Sequence, residues 1–124
     1  MTATALIIDD EELGRELIKS YLKEEPSIEV IGECSNGFVG IKAINDLKPD
    51  MIFLDIQMPK LTGFEMLELL DEKPHIIFTT AYNEFAIKAF ENNAVDYLLK
   101  PFSQERFQNA LNKVLARIKN KEKN

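Results

Sequence analysis

The chain has 124 residues, 45% of them hydrophobic and 9% aromatic, which suits one globular domain with a sizeable core and excludes a disordered chain. With 15 basic residues against 21 acidic ones, the net charge of -6 excludes a nucleic-acid binder working alone, which needs a basic patch to neutralise phosphates. No apolar run approaches the ~18 residues of a membrane span, the lone Cys34 cannot form an internal disulfide, and the single His75 argues against a His/Cys zinc site.

Short apolar runs alternate with stretches of helical spacing. Thr4–Ile8 reads as the first strand and runs into Asp9-Asp10. Leu13, Leu17, Tyr21 and Leu22 place an apolar stripe on a helix over 11–24, ended by Pro26. The mixed run Ile28–Cys34 is the second strand, with Cys34 expected as a small buried hydrophobe. Asn36 can cap a helix carrying Val39, Ala43, Ile44 and Leu47, stopped before Pro49. Met51–Leu54 is apolar throughout, as expected of a strand buried on both faces, and ends at Asp55. Thr62 and Gly63 precede a third helix with Phe64, Leu67 and Leu70 on one face, closed by Pro74. His75 sits at the entrance of the strand Ile76–Thr79, and Asn83 can cap a fourth helix with Ala86, Ala89 and Phe90 before a left-handed stop at Asn92-Asn93. Val95–Leu99 is the fifth strand. Ser103 opens the last helix, in which Phe107, Ala110, Leu111, Val114, Leu115 and Ile118 follow the i, i+3, i+4, i+7 rule.

Five strands alternating with five helices predict an α/β fold, a (βα)5 doubly wound parallel sheet with helices on both faces. The domain is expected over 1–118, with 119–124 a polar tail or the start of a linker. In such a sheet ligands bind at the carboxyl ends of the strands, beside the point where strand order reverses. With order 2-1-3-4-5, strands 1 and 3 are neighbours there, and Asp9, Asp10 and Asp55 face one another. Like charges so close repel, and a hard divalent cation bound through oxygen relieves them; the cluster reads as an Mg²⁺ pocket. Each element has a plainer reading. Acids at 9–12 suit a helix cap and its dipole, Asp55 an Asx-turn, Thr80 strand propensity, and Lys100 a solvated charge. Taken together at strand ends, a hydroxyl at Thr80 and a cation at Lys100 beside the carboxylates are what an incoming phosphoryl group requires. Lys100 is expected to pair with Asp55 in the resting state. Pro101 can hold a sharp turn after it, cis or trans.

Asp9-Asp10, Asp55-Ile56-Gln57-Met58-Pro59 with Gly63 beyond, Thr80-Ala81 and Lys100-Pro101-Phe102, in that order over about residues 4–118, resemble the receiver domain of bacterial two-component response regulators. The stretches Phe78–Tyr82, Lys88–Phe90 and Asn93–Phe102 are similar to its LytTR (LytR/AlgR-like) branch, whose members carry a DNA-binding domain after the receiver. The resemblance implies a flavodoxin/CheY-like fold and the following roles. Asp55 is the phosphoacceptor, served by a histidine kinase or a small phosphodonor. Asp10, Asp55 and the backbone carbonyl of Gln57 hold Mg²⁺, or Mn²⁺ as a substitute, and Asp9 acts through a metal-bound water. Thr80, Lys100 and the backbone N–H of Ala81 contact phosphoryl oxygens. Thr80 moving inward lets Tyr97 swing from exposed to buried, changing the face made by helix 4, strand 5 and helix 5. Gln57, Met58, Pro59, Tyr82 and Pro101 form the rim, where Gln57 and Tyr82 tune the lifetime of the phosphoryl group. The partners implied are the kinase, a second copy when phosphorylated (through residues such as Phe85, Lys88 and Arg106), and a LytTR-type output domain if the chain is a fragment. Neither direct nucleic-acid nor membrane binding is expected. With no basic region followed by an apolar stretch at the N-terminus, no signal peptide is expected either, and a cytoplasmic location follows.

Two other classes fit less well. A haloacid-dehalogenase-type phosphatase needs an acid two residues after its nucleophile, where this chain has Gln57. A flavodoxin-like nucleotide module needs a Gly/Ser/Thr-rich loop after the first strand, where Asp9-Asp10-Glu11-Glu12 would repel a phosphate. A receiver that signals without phosphorylation would lack part of the acid, threonine and lysine set, and none is missing.

Overall fold

The computed structural model describes residues 2–123, with side chains to residue 121, so that Met1 and Asn124, the ends of the two expected segments, lie outside the described residues. In chain order the elements are β1 (Ala3–Ile8), α1 (Glu12–Leu22), β2 (Ile28–Cys34), α2 (Gly37–Leu47), β3 (Met51–Asp55), α3 (Gly63–Glu68), β4 (His75–Thr80), a 3₁₀ turn (Asn83–Phe85), α4 (Ala86–Glu91), β5 (Asp96–Leu99) and α5 (Gln104–Lys123). The five strands form one sheet in the order β2-β1-β3-β4-β5, every neighbouring pair parallel. The central strands β1 and β3 are almost wholly apolar because successive side chains enter two separate cores. Ala3, Ala5, Ile7, Met51, Phe53 and Ile77 meet α1 and α5, while Leu6, Ile8, Ile52, Leu54, Ile76 and Phe78 meet the opposite helices. On the first side Phe107 stacks on Phe53 with centroids 5.4 Å apart and on Phe102 at 6.0 Å.

The expected caps of the second and last helices form. Asn36 accepts the Val39 N–H at 2.9 Å, and Ser103 accepts the Arg106 N–H at 3.1 Å. Thr62 and Glu65 make a reciprocal capping box, and Asn93 ends α4 with φ 62°. Thr62→Ala removes the side-chain acceptor of that box, and is expected to cost about 1 kcal/mol, read as a lower urea midpoint at unchanged slope.

Helix lengths and faces differ from expectation in places. α3 ends at Glu68 rather than running to Pro74, because the polar run Asp71-Glu72-Lys73 has nothing to bury; Leu70 still reaches the core from outside the helix. Asn83 does not cap α4 but lies within the preceding 3₁₀ turn. α5 continues through the polar residues 119–123, which are mostly good helix formers. In α1, Leu13 is 85% exposed, since Ile18 and Leu22 face the sheet one and two turns beyond Gly14. Val39, Leu47 and Phe90 are likewise turned outward, with Gly37, Gly40, Ile44 and Ala89 buried in their place.

Candidate functional site

β1 and β3 are neighbours in register, Ile8 opposite Leu54, so that the residues leaving their carboxyl ends converge. Asp9 and Asp55 are 1% and 4% exposed, while Asp10 and Glu11 are open to solvent. Each of these four acids offers an oxygen, and the four oxygens all lie within 4.8 Å of one another. Asp9 is held from several sides. Its Oδ1 accepts the Glu11 N–H at 2.9 Å, its backbone N–H donates to the Cys34 carbonyl at 3.0 Å, and its carbonyl accepts from Arg15 Nη1 at 2.8 Å.

Lys100 enters from the end of β5. Its Nζ lies 3.1 Å from Asp9 Oδ2 and 3.7 Å from both Asp55 Oδ1 and Glu11 Oε1. The expected pairing with Asp55 is therefore the longer contact, and Asp9 is the nearer partner. Burial first, then the negative charge of Asp9, pushes the Asp55 carboxyl up to about 8, with Asp10 adding to the rise and Lys100 opposing it. For Lys100, burial works to lower the ammonium, but the charges of Asp55 and Asp9 outweigh it and hold the group above its ordinary value. Positive charge is thus in short supply, and hard carboxylate oxygens crowd one point; this donor set fits Mg²⁺ or Mn²⁺.

Thr80 ends β4, one residue beyond Thr79, which lies opposite Asp55. It is buried, and its Oγ1 accepts the Tyr82 N–H at 3.1 Å. Ala81 is exposed beside it, and the Lys100 N–H donates to the Thr80 carbonyl at 2.7 Å. Gln57 and Pro59 are exposed, Met58 is buried, and Lys60 turns the loop with φ 71°. Tyr82 is half exposed, its ring edge-on to Phe85, and Pro101 is exposed after a cis Lys100–Pro101 bond. Tyr97 stands apart from the pocket, half-buried on β5 with its ring edge-on to Phe90 of α4. Phe85 and Lys88 both pack on the Phe64 ring, and Arg106 is engaged within the chain by Asp96.

Two glycines shape the pocket. A Cβ on Gly63 would come within 2.6 Å of the Asp55 backbone carbonyl, and one on Gly14 would overlap Asp9 Oδ2. Gly63 is expected from the sequence; Gly14, Arg15 and the closeness of Glu11 to Lys100 are not. The one signal for Gly14 is its cost, since glycine inside a helix is disfavoured by about 1 kcal/mol and needs a reason to be there. Beside the pocket runs a groove lined by Leu13, Leu17, Ile18, Pro101 and Phe102.

A sequence profile described as the response regulator receiver domain matches residues 5–112. The chain is 52% identical over 116 residues to the transcriptional regulatory protein BtsR of Escherichia coli K12, covering 92% of this chain but 47% of that protein. The chain therefore spans about half the length of the curated relatives it matches. Among solved structures, the response regulatory domain of mrkE from Klebsiella pneumoniae is 33% identical with TM-score 0.83, over 92% of this chain and 96% of that one. The REC domain of the response regulator AraT from Geobacillus stearothermophilus is 30% identical with TM-score 0.88, over 98% and 99%.

Proposed function

The chain belongs to the response regulator receiver domain family, and on that premise we propose that it is a switch operated by phosphorylation of Asp55. The observation that carries this reading is the convergence of buried Asp9 and Asp55 with Lys100 at the strand ends, beside Asp10 and Thr80. In the transfer, an Asp55 oxygen forms the new bond to phosphorus as the donor's bond breaks. The electron pair leaves with the donor, the imidazole of a histidine kinase or the acetate of acetyl phosphate. Lys100, the Thr80 hydroxyl and the Ala81 N–H take the phosphoryl oxygens. Asp10, Asp55 and the Gln57 carbonyl would hold a divalent cation, with Asp9 acting through water, and the cation would supply positive charge to those oxygens. Return to the resting state is attack of water on phosphorus: the new P–O bond forms as the bond to the Asp55 oxygen breaks, and the electron pair stays with the Asp55 carboxylate. Inorganic phosphate leaves with one proton lost to solvent, and exposed Gln57 and Tyr82 at the rim set the access of that water.

Phosphorylation changes the surface of α4, β5 and α5 through Thr80 and Tyr97, and the changed surface controls pairing with a second copy or an attached output domain. Several features support an output in transcription through a LytTR-type DNA-binding domain. They are the Asn93–Phe102 stretch, the similarity to BtsR, a transcriptional regulatory protein, and the coverage of half of that protein. The net charge of -6 supports leaving DNA contact to that other domain, and a cytoplasmic location suits the kinase; among the described residues no helix is long and apolar enough to cross a membrane. Incubation with acetyl phosphate and Mg²⁺ should add one phosphoryl group to the wild type by intact mass and none to Asp55→Asn. A wild type that gains no mass, or a variant that still does, overturns the assignment.

A further inference from the structure

Asp96 opens β5 with its side chain buried, and both of its carboxylate oxygens are engaged. Arg106 donates from Nη1 to Oδ2 and from Nη2 to Oδ1, both at 2.8 Å, and Lys113 Nζ donates to Oδ2 at 3.1 Å. The Tyr97 N–H donates to Oδ1 at 2.9 Å, and Arg106 Nη2 reaches past Asp96 to the Tyr97 carbonyl at 2.9 Å. Burial works to raise the Asp96 carboxyl, yet the bonds from Arg106 and Lys113 hold it below the ordinary carboxylate range, so the pair is ionised. β5 is an edge strand. The N–H and C=O of Tyr97 are therefore satisfied by a carboxylate and a guanidinium, as a further strand would otherwise satisfy them. The Tyr97 backbone is thus gripped from α5, while its ring lies on α4, edge-on to Phe90 at 6.0 Å.

We propose that Arg106 is a positioning residue for Tyr97: its fork, braced by Asp96, ties the Tyr97 backbone to α5 in the arrangement that keeps the ring half-exposed. The inference rests on the reading of Tyr97 as a moving part of a switch. A bond made in this arrangement weights it against the inward one, so loss of the bond releases the ring inward without any phosphoryl group. Arginine is needed because its planar fork serves two acceptors at once, which the point charge of lysine cannot do. Lys113 braces Asp96 but makes no bond to Tyr97.

The full chain, labelled at its three tyrosines with 3-fluorotyrosine, is followed by fluorine NMR with Mg²⁺, before and after acetyl phosphate; the Tyr97 signal is assigned by Tyr97→Phe. The solvent isotope shift of that signal reports ring exposure. Before any donor is added, Arg106→Ala should raise the inward population of Tyr97 about tenfold, and Arg106→Lys should fall between it and the wild type. Lys113→Ala should leave the signal unmoved. An Arg106→Ala spectrum matching the wild type in both states overturns the proposal, as does an equal shift in Lys113→Ala. If Arg106→Ala fails to fold, Arg106→Lys decides by the same criterion. A wild type that gains no phosphoryl mass counts against the phosphorylation reading alone, and the donor-free comparison still decides the role of Arg106.

Discussion

Metal-free wild type is expected to lose stability as pH rises from about 4 to about 8, and Asp55→Asn to remove most of that loss. An unfolded aspartate ionises near its ordinary value of 3.8, whereas Asp55 in the fold holds its proton up to about 8. Below both values the carboxyl is neutral in either state and contributes nothing. Between them only the unfolded chain gains by ionising, so folding weakens by about 1.4 kcal/mol per pH unit until the native carboxyl also ionises, after which the loss is constant. An asparagine keeps the shape without the charge. At pH 8 in chelator, Asp55→Asn should melt higher than the wild type by roughly 15 °C, corresponding to about 4 kcal/mol in a domain of this size. Saturating Mg²⁺ should raise the wild type and narrow the gap, because a ligand of the native state stabilises it alone. Parallel melting temperatures of the two proteins across that pH range in chelator would sink the idea that this carboxyl is under strain in the resting fold.

Gly63→Ala should be among the most damaging single-methyl additions, costing about 2–3 kcal/mol in urea unfolding and slowing phosphorylation from acetyl phosphate about 100-fold. No glycine in the described chain needs a positive φ; what Gly63 provides is room. A Cβ there would meet the Asp55 carbonyl at 2.6 Å and the Ile56 Cα at 3.2 Å, both backbone atoms with no rotamer to escape into. The Gly63 N–H also donates to the Ile56 carbonyl at 2.8 Å, so the loop cannot swing away without losing that bond. The strain must pass into residues 55 and 56, displacing the carboxylate. A Gly63→Ala protein with wild-type urea midpoint and phosphorylation rate would show that the loop accommodates the methyl group.

The strands were legible because a parallel strand with helices on both faces is apolar at every position, as in Met51–Leu54, and the caps because Asn36, Thr62 and Ser103 each accept a nearby N–H. Asp9, Asp10, Asp55, Thr80 and Lys100 were legible as a group because topology alone brings strand ends together. The rest depends on how elements are rotated and where long side chains reach. Periodicity outlined the α1 stripe without showing that Gly14 rather than Leu13 faces the strand ends. Spacing placed Lys100 in the pocket without showing that Asp9 lies 0.6 Å nearer than Asp55, 3.1 against 3.7 Å. The grip of Arg106 on Asp96 and Tyr97 joins separate elements and leaves no local pattern.

The two sides of the sheet differ in what holds them. α5 is 20 residues long and drives Phe107, Ala110, Leu111, Val114 and Ile118 into its core, whereas α3 and α4 have six residues each, and α4 buries only Ala89. A six-residue helix forms too few internal bonds to persist without packing. α4 itself is therefore expected to open locally at a lower free energy than α5, so the molecule is softer next to Tyr97 than behind it. A few kcal/mol released at the strand ends would be spent on remodelling the soft flank and leave the other as a fixed frame.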